Sequence, residues 1–70
     1  MIPLTLADLG EELIIRKIGG KPELKKHLEN LGFNVGGTVT VINAINGNMI
    51  VKIKECRVAI STEMAQKIMI

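Results

Sequence analysis

Apolar and polar positions along the chain fall into short runs of two different periods. Leu4, Leu6 and Leu9 lead into Gly10 and read as an ordered apolar lead-in that packs down before the first strand. Glu12 to Ile18 is rich in β-branched residues and predicts a strand. Period two puts Leu13 and Ile15 on one face and Ile14 and Arg16 on the other. Gly19 and Gly20 end this run. The period then changes: Leu24, Leu28 and Leu31 recur at helical spacing and form one stripe of a short amphipathic helix. Pro22 suits its first turn, where a missing N–H costs nothing. Glu23 lies near the positive end of the helix dipole. Gly32 fits the left-handed position that closes a helix, and Phe33 then follows where it can touch Leu28.

Beyond the helix the period returns to two. Val35-Gly36-Gly37 predicts a turn. Thr38 to Asn43 predicts a strand with Val39 and Val41 inward. Asn46-Gly47-Asn48 is a hairpin signal. Met49 to Lys54 predicts the next strand, with Val51 and Ile53 inward and Lys52 and Lys54 outward. Parity adds a constraint. A two-residue Asn46-Gly47 turn with a regular ladder pairs Ile42 with Val51 and puts Val41 on the wrong face. The expectation is therefore a three-residue loop through Asn48, or a bulge. Arg57 to Ile60 predicts a further strand, with Val58 and Ile60 inward. Ser61 is placed to cap a helical turn from Thr62 to Lys67, and Ile68 to Ile70 reads as a final short strand. The expected fold is mainly β: a small, closed or nearly closed barrel with one amphipathic helix between its first and second strands.

Composition narrows the function more than it defines it. Seventy residues predict one domain, 1–70, and a chain this short buries only about 60% of its unfolded surface. The 47% apolar content serves that core. Phe33 is the one aromatic residue, with no Trp or Tyr. This argues against an aromatic-lined groove for proline-rich peptides and against stacking platforms for single-stranded nucleic acid. A net charge of +2, with dispersed Lys and Arg, does not call for nucleic acid as a partner. Cys56 is the only cysteine, so no intramolecular disulfide forms, and a reducing cytoplasm is the expected compartment. The opening residues lack the pattern of a signal peptide, and no apolar run approaches the roughly 20 residues of a membrane-spanning helix.

Candidate chemistry is sparse. Gly20-Lys21 is followed by Pro22, so there is no phosphate-binding loop motif. His27 and Cys56 are the only soft or borderline metal ligands, and a tight transition-metal site usually takes three or four. Glu23 and His27 share a helix face that leaves room for weak Fe2+ or other divalent binding. His27 reads better as an exposed polar residue, and Cys56 as a small turn residue. Neither Cys56 nor Ser61 has a spacing that brings it to His27 and an acid, so no catalytic residue is expected. What remains is a protein–protein surface: Ile14, Ile42 and Ile50 have outward parity and either cluster as an exposed apolar patch or are covered by the lead-in or the first helix, and Lys52, Lys54 and Arg57 either form a basic rim or are simply solvated.

The stretch LKKHLENLGFNVGGTVTVI resembles the helix, glycine turn and strand of FeoA proteins. Leu28, Leu31, Gly32, Gly36, Val39 and Val41 fit that pattern. IVKIKECRVAISTEMAQKIMI resembles the family's second half through Val51, Ile53, Arg57, Ala59, Ile60, Ala65 and Ile68, and Leu9-Gly10 fits its lead-in. Three positions depart from it. Val35 stands where proline is common, Glu55 where glycine is common, and Ser61 where a basic residue is frequent. The resemblance implies an SH3-like β-barrel in the cytoplasm, peripheral to the inner membrane only through its partner. It implies a non-enzymatic accessory role in bacterial ferrous iron uptake, with the cytosolic domains of the FeoB transporter as partner and no required cofactor. A homo-oligomer is compatible with it. A similar barrel ends iron-dependent repressors, so the alternative is a metal-responsive regulatory module.

Overall fold

A computed structural model describes residues 1–54 and 56–70. After a 3-10 turn at Leu4–Leu6 come β1 (Glu12–Ile14), β2 (Lys17–Ile18), α1 (Pro22–Leu31), β3 (Thr38–Ile45), β4 (Asn48–Ile53), β5 (Cys56–Ser61), α2 (Thr62–Ala65) and β6 (Ile68–Met69). The strands form two antiparallel sheets, one in the order β1-β3-β4-β5 and one pairing β2 with β6. They do not close into a full ring among the described residues. The core lies between these sheets and α1, with Leu4, Ile15, Leu28, Phe33, Val41, Val51 and Ile68 fully or almost fully buried. Glu55, one of the three departures from the family pattern, lies outside the described residues.

The predicted first strand is two strands, β1 and β2. Ile15 still exchanges hydrogen bonds with the turn before β3, donating to Gly37 (2.9 Å) and accepting from Gly36 (2.8 Å). Arg16 then donates to Met69 on the other sheet (2.8 Å). The chain changes partner here, and composition carries no sign of such a change. The lead-in is also looser than expected. Leu4 is fully buried, but Leu6 and Leu9 are 67% and 61% exposed. The segment is tied at its start instead. Ile2 and Ile70 exchange backbone hydrogen bonds of 3.1 and 2.9 Å, and Pro3 bridges to Met69.

The helix ends as its sequence predicts. Gly32 has φ of 110°, and its N–H donates to Glu29 while that of Phe33 donates to Leu28. These two bonds define a Schellman closure, which satisfies carbonyls the helix leaves open. A Cβ on Gly32 would sit 3.0 Å from Cδ1 of Ile53, so the helix end also presses directly on β4. The next turn, Asn34 to Gly37, closes through Gly37 N–H to the Asn34 carbonyl (2.9 Å), with Gly36 at φ of 88°. This is a type II turn, and Val35 holds the position where proline is preferred.

The parity constraint is met by a bulge, not by a longer loop. Ile45 pairs with Asn48 across a two-residue Asn46-Gly47 turn, and Val41 pairs with Val51. The register shifts between Val41 and Asn43, so Ile42 is the extra residue. Both valines therefore reach the core. Cys56 opens β5 opposite Ile53 and is a strand residue, not the turn residue expected from sequence. Ser61 caps α2 as predicted, accepting from Met64 N–H at 3.2 Å, although the helix ends at Ala65.

Candidate functional site: the outer face of the sheet

One face of the four-stranded sheet covers the core, and the other faces solvent. Residues directly opposite in register share a face, so the outer face can be read rung by rung. One rung is Glu12, Thr40, Lys52 and Arg57, one residue from each strand. On one side of it lies the rung of Asn43, Ile50 and Ala59. On the other side Ile14 pairs with Thr38.

This arrangement brings together some of the predicted surface residues and separates others. Lys52 and Arg57 stand directly opposite each other, and both are exposed. Ile50 is two residues from Lys52 on the same strand and face, and it is half-buried. Ile42 sits at the bulge beside Asn43 and is also half-buried. Lys54 follows β4 at φ of 53°, exposed. Ile14 is 50% exposed but lies beyond the polar rung from Ile50. The three isoleucines thus do not make one apolar patch. A rung of charged and polar side chains divides them, and successive rungs on one face are about 7 Å apart.

Like charges directly opposite on one sheet face destabilise the pairing. Glu12, the acid of the same rung, is separated from Lys52 by Thr40, at two strand spacings or about 10 Å. Sequence reading gave Lys52 and Arg57 the same outward parity. It did not reveal that they face each other, because the register of β4 on β5 depends on where the second hairpin turns.

A second concave feature lies away from this face. A groove of about 360 Å3 runs between the start of α1 and α2. Leu24 and Met64 line it, with Lys21, Glu23, Glu63 and Lys67 around them. Sequence reading missed it because it depends on how the two helices meet. His27 and Glu23 are exposed on α1. Among the described residues no group of three or more His, Cys, Asp or Glu side chains is placed to hold a metal ion. No helix among them is long and apolar enough to cross a membrane.

Comparison with known proteins agrees with the resemblance seen in the sequence. The FeoA domain family matches residues 2–70. A protein of Methanocaldococcus jannaschii named "Putative Fe(2+) transport protein A" is 37% identical over 70 residues, covering 100% of this chain and 85% of its own. The crystal structure of an iron uptake regulatory protein, FeoA, superposes with a TM-score of 0.86 at 25% identity, over 96% of this chain and 89% of that one. A manganese-dependent transcriptional repressor superposes equally well, with a TM-score of 0.86. Its identity is 19%, and the match spans 94% of this chain but 38% of the repressor. That last likeness is one of fold alone. With a family match over almost its whole length and a full-length relative above 30% identity, the chain belongs to the FeoA family.

Proposed function

We propose that this protein is a non-enzymatic accessory of ferrous iron uptake that works by binding the cytosolic region of a FeoB-type transporter. Family membership supports the iron-transport role. The observation that carries the binding role is the Lys52–Arg57 rung beside Ile50 on the outer sheet face, with Lys54 at the end of the same strand. Two cations held face to face are a poor arrangement for stability and a good one for an acidic partner. In this reading the protein is cytoplasmic, and its two sheets wrap the core as an open SH3-like barrel. It meets the inner membrane only through the transporter.

The test is a pull-down against the cytosolic domains of the organism's FeoB, with and without GTP. Wild-type protein is expected to be retained, and Lys52→Glu is expected to reduce retention at least tenfold. Equal retention of both would remove the outer face from the contact. No retention in any nucleotide state would remove the cytosolic domains as the partner. The alternative of a metal-responsive module draws on the repressor's fold alone. It predicts heat on calorimetric titration with Fe2+ or Mn2+ that disappears in His27→Ala. No heat at millimolar metal would eliminate it.

A further inference from the structure

We propose that β5 is a docking edge, to which a partner protein adds an extended acidic strand. The inference rests on the protein-binding reading above and gives that partner a chemistry. β5 is the outermost strand of its sheet, paired with β4 on one side and with no strand on the other among the described residues. Its ladder to β4 is unbroken from Ile53–Cys56 to Asn48–Ser61. Every second backbone amide and carbonyl of such a strand points away from its neighbour, so the free side offers donors and acceptors in strand register.

Natural proteins blunt such edges with proline, bulges, very short strands, edge charges or a covering helix or loop, and of the charges β5 carries one, Arg57. β5 is six residues long, has no proline and has no register shift. The opposite edge, β1, is only three residues long. The one bulge in the sheet lies between β3 and β4, not at this edge.

The side chains along β5 define what an added strand must carry. Arg57 and Ala59 are on the outer face, and Val58 and Ile60 on the inner. A residue paired with Arg57 falls on the outer face, next to the Lys52–Arg57 pair. A carboxylate there is opposite one cation and one strand further from the other. Its neighbour pairs with Val58, which is only half-buried, and is apolar by the same alternation. The partner segment thus alternates acidic and apolar residues.

A second copy of this chain does not supply that chemistry through the same edge. Antiparallel β5–β5 pairing about a two-fold axis must keep outer residues opposite outer residues. The residue facing Arg57 is then Arg57, Ala59 or Ser61 of the other copy, none of them acidic.

The probe is a capped seven-residue peptide, Thr-Val-Glu-Val-Glu-Val-Thr, titrated into isotope-labelled full-length protein and followed by NMR. Binding is expected to shift and protect amides of residues 56 to 60 more than any others. Arg57→Glu is expected to weaken it at least tenfold while leaving the remaining spectrum folded. A peptide with Lys in place of Glu is expected to bind the Lys52→Glu/Arg57→Glu variant and not the wild type. Methylating alternate backbone amides of the peptide is expected to abolish binding, which separates strand addition from charge attraction. Four results overturn the proposal: no shift at millimolar peptide, equal binding of the methylated peptide, equal binding of the Lys peptide to wild type, or a dimer in sedimentation whose β5 amides are protected without peptide. Loss of FeoB binding with peptide binding intact would count against the functional reading and leave the edge standing.

Discussion

The two hairpins that share β4 are built on opposite principles. The β3–β4 hairpin is specified by its own turn. Asn46 and Gly47 both have positive φ, the geometry that matches strand twist and that this dipeptide favours. That turn fixes a register which the strands must then correct, and the bulge at Ile42 does so. The β4–β5 hairpin has the reverse design. Its ladder needs no correction, but it leaves β4 through Lys54, a residue with a side chain held at φ of 53°. What holds it is packing. Ile53, the last residue of β4, is buried and lies against the left-handed end of α1 at Gly32. A good turn can therefore impose a register at the cost of a bulge, and a well-packed strand end can impose a poor turn.

The sharpest way to break this contrast is at Ile53. Ile53→Ala removes buried methylenes under the helix end and is expected to destabilise the protein by about 2–5 kcal/mol in urea unfolding. A loss below ~1 kcal/mol would mean that packing does not hold the second hairpin. Gly47→Val comes next, because a β-branched residue at φ of 80° is strained by about 1–3 kcal/mol. The first hairpin is expected to lose that much, read as a lower urea midpoint at unchanged slope.

Lys54→Gly has the opposite sign. The left-handed conformation costs a residue with a side chain roughly 1–2 kcal/mol, and glycine gives back about 0.5–1 kcal/mol through its unfolded-state entropy. A net gain of up to ~1 kcal/mol is expected in thermal unfolding. A loss would show that the Lys54 side chain stabilises the turn. The smallest effect is at Lys52→Thr, which relieves the pair with Arg57 and is expected to add about 0.2–1 kcal/mol. That gain should shrink as salt rises, since exposed charges are screened. The same variant is expected to bind its partner more weakly, so stability and function move in opposite directions at one residue.

Local signals were the legible ones. Pro22 and Gly32 bound the helix because each suits a backbone position that few other residues fill. The outward parity of Lys52 and Arg57 also came through, since alternation survives any choice of register. Parity even required a correction near Ile42, but it left loop and bulge open. The two-residue turn settles that choice, through the match of its twist to the strands. Three things were not legible: the change of partner at Ile15–Arg16, the exposure of Leu6 and Leu9, and the pairing of Lys52 opposite Arg57 across the ladder. Each depends on which distant segment lies alongside, and hydrophobic period says nothing about that. Ser61 is instructive in another way. It departs from the basic residue frequent in the family, yet its hydroxyl caps α2, so the position has a local role of its own here.

The pairing of Ile2 with Ile70 has a consequence for the order in which the molecule assembles. The pairs that close the β3–β4–β5 meander, Ile45 with Asn48 and Ile53 with Cys56, are three positions apart in sequence, whereas the contact between Ile2 and Ile70 joins segments separated by nearly the whole sequence. Closing a longer loop carries a larger entropic penalty before any contact offsets it. The meander, with the docking edge already displayed on β5, is therefore expected to form ahead of the contact between the two ends of the chain. The part of the fold proposed to meet the partner is then mature before the part that locks the chain shut.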